Sequence, residues 1–142
     1  MKFAILAAAV LATATPAMAE DWHSFSGTAS RAYLADVDSI AAVGNTTAIR
    51  MASVPTAGRA GDLTRTETLY EFQCAARRWR TVGTVEYEAD GTSEAYPEEG
   101  AEWEPLRANT VPDFVKQIAC DGSRSTTATF PSIRAFIEAG RQ

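Results

Sequence analysis

Residues 70–82 read "YEFQCAARRWRTV". Tyr70, Phe72 and Cys74 fall on one side of an extended chain, with Glu71 and Gln73 on the other. After a short break, Trp79 and Arg80 open a second run of the same kind. Alternation with a period of two marks a half-buried strand, and two such runs joined by a short break mark a hairpin. The stretch therefore sets an antiparallel sheet. It also places a cysteine at the end of a strand, on its apolar side.

Working outward, "TETLYEFQC" (66–74) carries Leu69 on the side of Glu71 and Gln73. "WRTVGTVEYE" (79–88) puts Trp79, Val85 and Tyr87 on one face, with Thr81 and Gly83 between them, and Arg80, Glu86 and Glu88 opposite. "ADGT" (89–92) is a turn into a further hairpin. Upstream, "DWHSFSG" and "SRAYLADV" are strands parted by a turn at Gly27, and "VDSI" (37–40) reads as a brief turn. "TTAIRMASV" (46–54) directs Ile49 and Met51 one way and Arg50 the other, and residues 55–65 read as a mobile hairpin loop. The whole predicts an antiparallel sheet of about six strands with one wet face.

The period changes after Trp103. In "NTVPDFVKQIAC" (109–120), Val111, Phe114, Val115, Ile118 and Ala119 recur at helical spacing. Thr110 is a candidate N-cap, Pro112 suits a first turn, and Gly122 is a stop. "FPSIRAFIEAG" (130–140) predicts a second short helix. The expected class is α+β, with the C-terminal helices packed on one face of the sheet.

The N-terminus "MKFAILAAAVLATATPAMA" has one cation, Lys2, an apolar run from Phe3 to Ala12, and the exit Ala17-Met18-Ala19. That is the pattern of a secretory signal peptide over residues 1–19, cut between Ala19 and Glu20. The apolar run is short of the about 20 residues that a membrane-spanning helix needs. No cysteine follows the cut to carry a lipid, so the mature chain is expected to lack a membrane anchor and to be periplasmic or secreted.

Export bears on the cysteines. Cys74 and Cys120 are the two in the chain. In an oxidising compartment such a pair forms one disulfide, here clamping a helix end to a strand end; two free thiols are the alternative.

Thirteen Lys and Arg stand against 18 Asp and Glu, a net charge of −5. This balance argues against nucleic acid and anionic membranes as partners. His23 is the single histidine, too little for a common zinc site. There is no G-x-S-x-G and no Gly-rich phosphate loop. No catalytic residue, metal site or cofactor is assigned, and the chain reads as non-enzymatic.

Charge gathers in one segment. Between Glu86 and Glu104 lie eight acids and no base, interleaved with Tyr87, Tyr96 and Trp103. A solvated hairpin that keeps a sheet edge soluble has this composition. So does a docking face for a cationic partner, with Glu94, Glu98, Glu99 and Glu102 as its candidate residues. Arg77, Arg78 and Arg80 of "RRWR" are possible internal partners that would cancel the patch.

Trp22, "YLADVDSI" (33–40), "YEFQCAARRWR" (70–80), "DGT" (90–92), "WEPLRANTV" (103–111) and Cys120 occur in an order that resembles the surface-adhesin protein E family of Gram-negative bacteria. The resemblance covers about residues 21–120. It implies a six-stranded antiparallel sheet with a helix joined to it by a disulfide, and binding of host or extracellular partners. Unlike the lipid-anchored members, this chain lacks a lipidation cysteine, and it continues past Cys120 to Gln142. The expected organisation is a signal peptide (1–19), an adhesin E-like domain (20–120), and a C-terminal extension (121–142) with a short helix packed on the same domain. The expected function is an exported, adhesin-like binding module of the bacterial envelope, with a cationic or extracellular-matrix protein as partner. The alternative is a periplasmic or secreted inhibitor of a basic host enzyme such as lysozyme.

Overall fold

The computed structural model describes residues 18–142, so most of the expected signal peptide lies outside the described residues. Eight strands form one antiparallel sheet: β1 (Trp22–Gly27), β2 (Arg31–Val43), β3 (Thr46–Pro55), β4 (Arg65–Gln73), β5 (Arg78–Tyr87), β6 (Ser93–Pro97), β7 (Glu104–Pro105) and β8 (Thr129–Phe130). Their order across the sheet is β6-β5-β4-β3-β2-β1-β8, with β7 also paired to β5. Two helices follow the main strands, α1 (Val111–Asp121) and α2 (Ile133–Glu138). The count exceeds the expected six because β7 and β8 have two residues each, too few to show alternation.

The helices pack on opposite faces, not on one. Val115 and Ile118 of α1 share a core with Ala35, Ile49, Met51, Tyr70 and Phe72. Ile133, Phe136 and Ile137 of α2 share another with Trp22, Ala32, Leu34, Ala52 and Val54. The alternation of β3 dictates this. Ile49 and Met51 point to the α1 face, whereas Ala52 and Val54, of opposite parity in an unbroken register with β4, point to the α2 face.

Two further corrections concern bulges. "VDSI" is not a turn but the middle of β2, where the register with β3 breaks between Asp36 and Ala41. The Ser39 hydroxyl stands in for the ladder there, donating to the Asp36 carbonyl at 2.6 Å and accepting from the Arg50 N–H at 2.9 Å. In β5 the register shifts opposite Leu69 and Tyr70, leaving Val82 as the extra residue. Trp79 pairs with Phe72 on the α1 face, while Val85 pairs with Glu67 on the α2 face. Trp79 therefore does not share a face with Val85 and Tyr87.

α1 is closed at both ends. The Thr110 hydroxyl accepts from the Asp113 N–H, and the Asp113 carboxylate accepts from the Asn109 N–H at 3.1 Å, a reciprocal arrangement that satisfies otherwise orphaned donors. Gly122 ends the helix with φ of 76°, a left-handed conformation that costs glycine little. The Cys74–Cys120 disulfide joins the end of this helix to the chain just past β4.

The C-terminus closes the other face. Arg141 is buried, and its guanidinium donates to the carbonyls of Pro55, Arg59 and Asp62 at 2.8–3.0 Å. The loop expected to be mobile is thus tied to the chain end, with Leu63 buried beneath it.

Candidate functional site

Two kinds of charge occupy the molecule, one closed and one open. The closed set lies on the α2 face. The register aligns Trp22 with Asp36 and Asp36 with Arg50. Asp36 is 1% exposed, and a carboxylate so deep needs a partner. Arg50 supplies it at 2.6 Å, reaches Glu20 at 2.9 Å and Glu67 at 3.5 Å, and lies over the Trp22 ring at 5.0 Å. Arg65 bonds Glu67 at 2.8 Å and stacks on Tyr87. Burial works against the Arg50 charge, but the Asp36 hydrogen bond and the fields of Glu67 and Glu20 outweigh it, so its pKa is raised. Sequence reading missed this network. Its signal was Arg50 set between Ile49 and Met51, but the partners are remote in sequence.

The open set lies at the β5–β6 end. All eight acids from Glu86 to Glu104 are exposed. None forms an ion pair among the described residues. The basic stretch is directed elsewhere: Arg80 binds Glu71 at 2.7 Å and lies over Trp103, and Arg77 reaches Asp113 at 3.5 Å. Neither Arg77 nor Arg80 therefore forms an ion pair with the acidic segment.

Strand register sorts the candidate residues. Glu94 faces Glu86 directly across the ladder, Tyr96 faces Thr84, and Glu98 accepts a hydrogen bond from the Thr81 hydroxyl. Glu86, Glu94, Tyr96 and Glu98 thus share the α1 face. A hydrogen bond to Glu94 holds the Tyr96 hydroxyl above its usual pKa. Glu99 sits in the turn after β6, and Glu102 in the irregular segment before β7, both off the ladder.

The other face of the same strands carries an apolar patch. An open groove of about 400 Å³ runs over β4, β5 and β6, lined by Leu69, Val82, Val85, Tyr87, Ala95 and Pro97, with Arg50 and Glu67 at one end. Leu69 is 40% exposed, and the apolar residues packed around α2 come from β1, β2, β3, Leu63 and Phe130 of β8. The Val82 bulge hid this groove from sequence reading; Gly83, a glycine inside a strand, was the available signal.

His23 is buried and structural. Its Nδ1 accepts from the Ser125 N–H at 3.2 Å, which places the ring proton on Nε2, 3.0 Å from Asp21. Asp21, His23 and Ser125 come together, but the imidazole meets the Ser125 backbone N–H, and the Ser125 hydroxyl is bonded to that of Thr127 at 2.8 Å. Among the described residues no group of three or more His, Cys, Asp or Glu is placed to hold a metal ion. No described helix is long and apolar enough to cross a membrane.

Fold and surface define a disulfide-clamped sheet domain with one end exposed on both faces. The model of the surface-adhesin protein E family matches residues 22–121, and the chain belongs to that family. The match ends at Asp121, so α2 lies beyond it. No curated protein and no solved structure matches the chain.

Proposed function

We propose that the protein is an exported, non-enzymatic, adhesin-like binding module whose acidic β5–β6 end docks a cationic protein partner. Family membership supports the adhesin-like role. The observation that carries the docking reading is the acidic segment, exposed and without an internal counter-charge among the described residues. Unpaired like charges raise the local potential and steer an oppositely charged protein into contact. The same surface suits a basic enzyme such as lysozyme, the second reading.

Export is checked first: the intact mass of the protein released by the cell should start at Glu20, and a mature form still bearing Met1 would refute it. Wild type and the variant with Glu94, Glu98, Glu99 and Glu102 all replaced by Gln are then titrated against extracellular-matrix proteins and lysozyme, at low and high salt. Screening acts over about 8 Å at physiological salt. Binding should weaken as salt rises, chiefly through a slower on-rate, and the variant should bind more weakly at low salt. Equal affinity of both proteins for every partner would end the docking reading. Inhibition of lysozyme, lost in the variant, would favour the second reading.

A further inference from the structure

β6 is the outermost strand of its edge, and none of the described strands pairs with its outer side. All five of its residues are exposed. The bonds from Glu88 N–H to Thr92 and from Glu98 N–H to Val82 put the even-numbered residues in the hydrogen-bonded pairs with β5. In an antiparallel ladder the intervening residues turn their backbone groups away. Ser93 and Ala95 therefore present N–H and C=O outward, and Pro97 presents C=O alone.

This free edge separates two unlike faces. Ala95 and Pro97 border the apolar groove, while Glu94 and Glu98 flank Tyr96 on the acidic face. We infer that β6 is an attachment edge for an extended segment of a partner protein whose side chains alternate between apolar and basic. A strand added beside β6 inherits its alternation. Its apolar side chains widen the groove beyond Ala95 and Pro97, and its Lys or Arg side chains meet Glu94 and Glu98, with the Tyr96 ring as a cation–π surface. Charge decides between occupants. A second copy of this chain paired along β6 would set Glu94 and Glu98 against acids of its own kind, which opposes self-association. A basic alternating segment removes that repulsion. The inference rests on the proposed cationic partner and adds to it the conformation and pattern of the contacting segment.

The test uses the mature protein and three short synthetic peptides, alternating Leu with Lys, Ser with Lys, and Leu with Glu. The Leu-Lys peptide should bind at least about tenfold more tightly than either control, and should protect the Ser93 and Ala95 amides from hydrogen exchange. Ala95→Pro removes an outward N–H that the fold does not use, and should weaken Leu-Lys binding about tenfold with the urea midpoint unchanged. Tyr96→Ala, which removes the exposed ring on β6 beside the added strand, should weaken it severalfold, and serves if Ala95→Pro does not fold. Equal affinity for the Leu-Lys and Ser-Lys peptides would overturn edge addition while leaving a cationic partner standing. No binding of any lysine peptide, with matrix proteins and lysozyme also indifferent to the Gln variant, would overturn both.

Discussion

Replacing Cys74 and Cys120 together by Ser removes the covalent link between α1 and the sheet. The bridge spans 46 residues of chain. Cross-linking a loop of that length withdraws conformational entropy from the unfolded state equivalent to about 4 kcal/mol at 25 °C. Small domains are stable by only about 5–15 kcal/mol in total, so the loss should be a large share of the stability. Without the bridge, α1 is held by its caps and by Val115 and Ile118 against Ala35, Ile49, Met51, Tyr70 and Phe72. At a urea dependence of about 2 kcal/mol per molar, the midpoint should fall by about 2 M. Urea unfolding of wild type, with and without reductant, and of the double variant supplies the comparison. Reduced wild type and variant should coincide, both well below the oxidised protein. Superimposable curves for oxidised and reduced wild type would refute the reasoning, as would two alkylatable thiols in the native protein.

Phe136 is fully buried and meets Phe130 edge-on at 5.2 Å between ring centres; Phe136→Ala should cost about 3–5 kcal/mol in urea unfolding, and a negligible loss would show that α2 is not part of the core. Burial, then the nearby Tyr33 and Glu98, pushes the Tyr70 hydroxyl up to about 12. A pKa raised above its unfolded value near 10 gives stability that is complete below pH 10 and lost as pH climbs from about 10 to 12, on the order of 2–3 kcal/mol. Tyr70→Phe should flatten that alkaline slope when urea midpoints are compared at pH 8 and pH 11.5, and parallel slopes for the two proteins would remove Tyr70 from the account.

What could be read from the sequence follows from where the periodicity is unbroken. In β4, Tyr70 and Phe72 alternate with Glu71 and Gln73 without interruption, so the strand, its buried side and the terminal cysteine were legible. The stripe of α1 and its Thr110 and Gly122 caps were legible for the same reason. Reading failed where one residue changes parity. Ser39 bridges the β2 bulge with its side chain, and a serine in "VDSI" looks like a turn residue. Val82 reverses β5, and no alternation count detects an inserted residue. The placement of α2 failed for a different reason. Ala52 and Val54 make the end of β3 apolar on both faces, and a sheet expected to have one wet face left that helix no second surface. The acidic segment was legible as composition; its division between Glu94 and Glu98, bonded to or paired with β5, and Glu99 and Glu102, which are not, needed the register.

The Val82 bulge has a consequence for how the molecule divides its work. Before it, β5 serves the core: Trp79 packs beside Phe72 and stacks on Tyr70 at 5.6 Å. After it, the odd-numbered side chains turn to the other face, and Val85 and Tyr87 line the groove. Had the alternation run unbroken from Trp79, Val85 and Tyr87 would lie on the α1 face and Glu86 on the α2 face. Glu94, paired with Glu86, would turn with it, and the acids of both strands would crowd the α2 face beside the apolar floor over β4. One inserted residue therefore puts the acids of β5 and β6 on the α1 face and the apolar groove on the other. It does so at the β5–β6 end of the sheet, away from β1, β2 and β3, which the two helices cover on both faces.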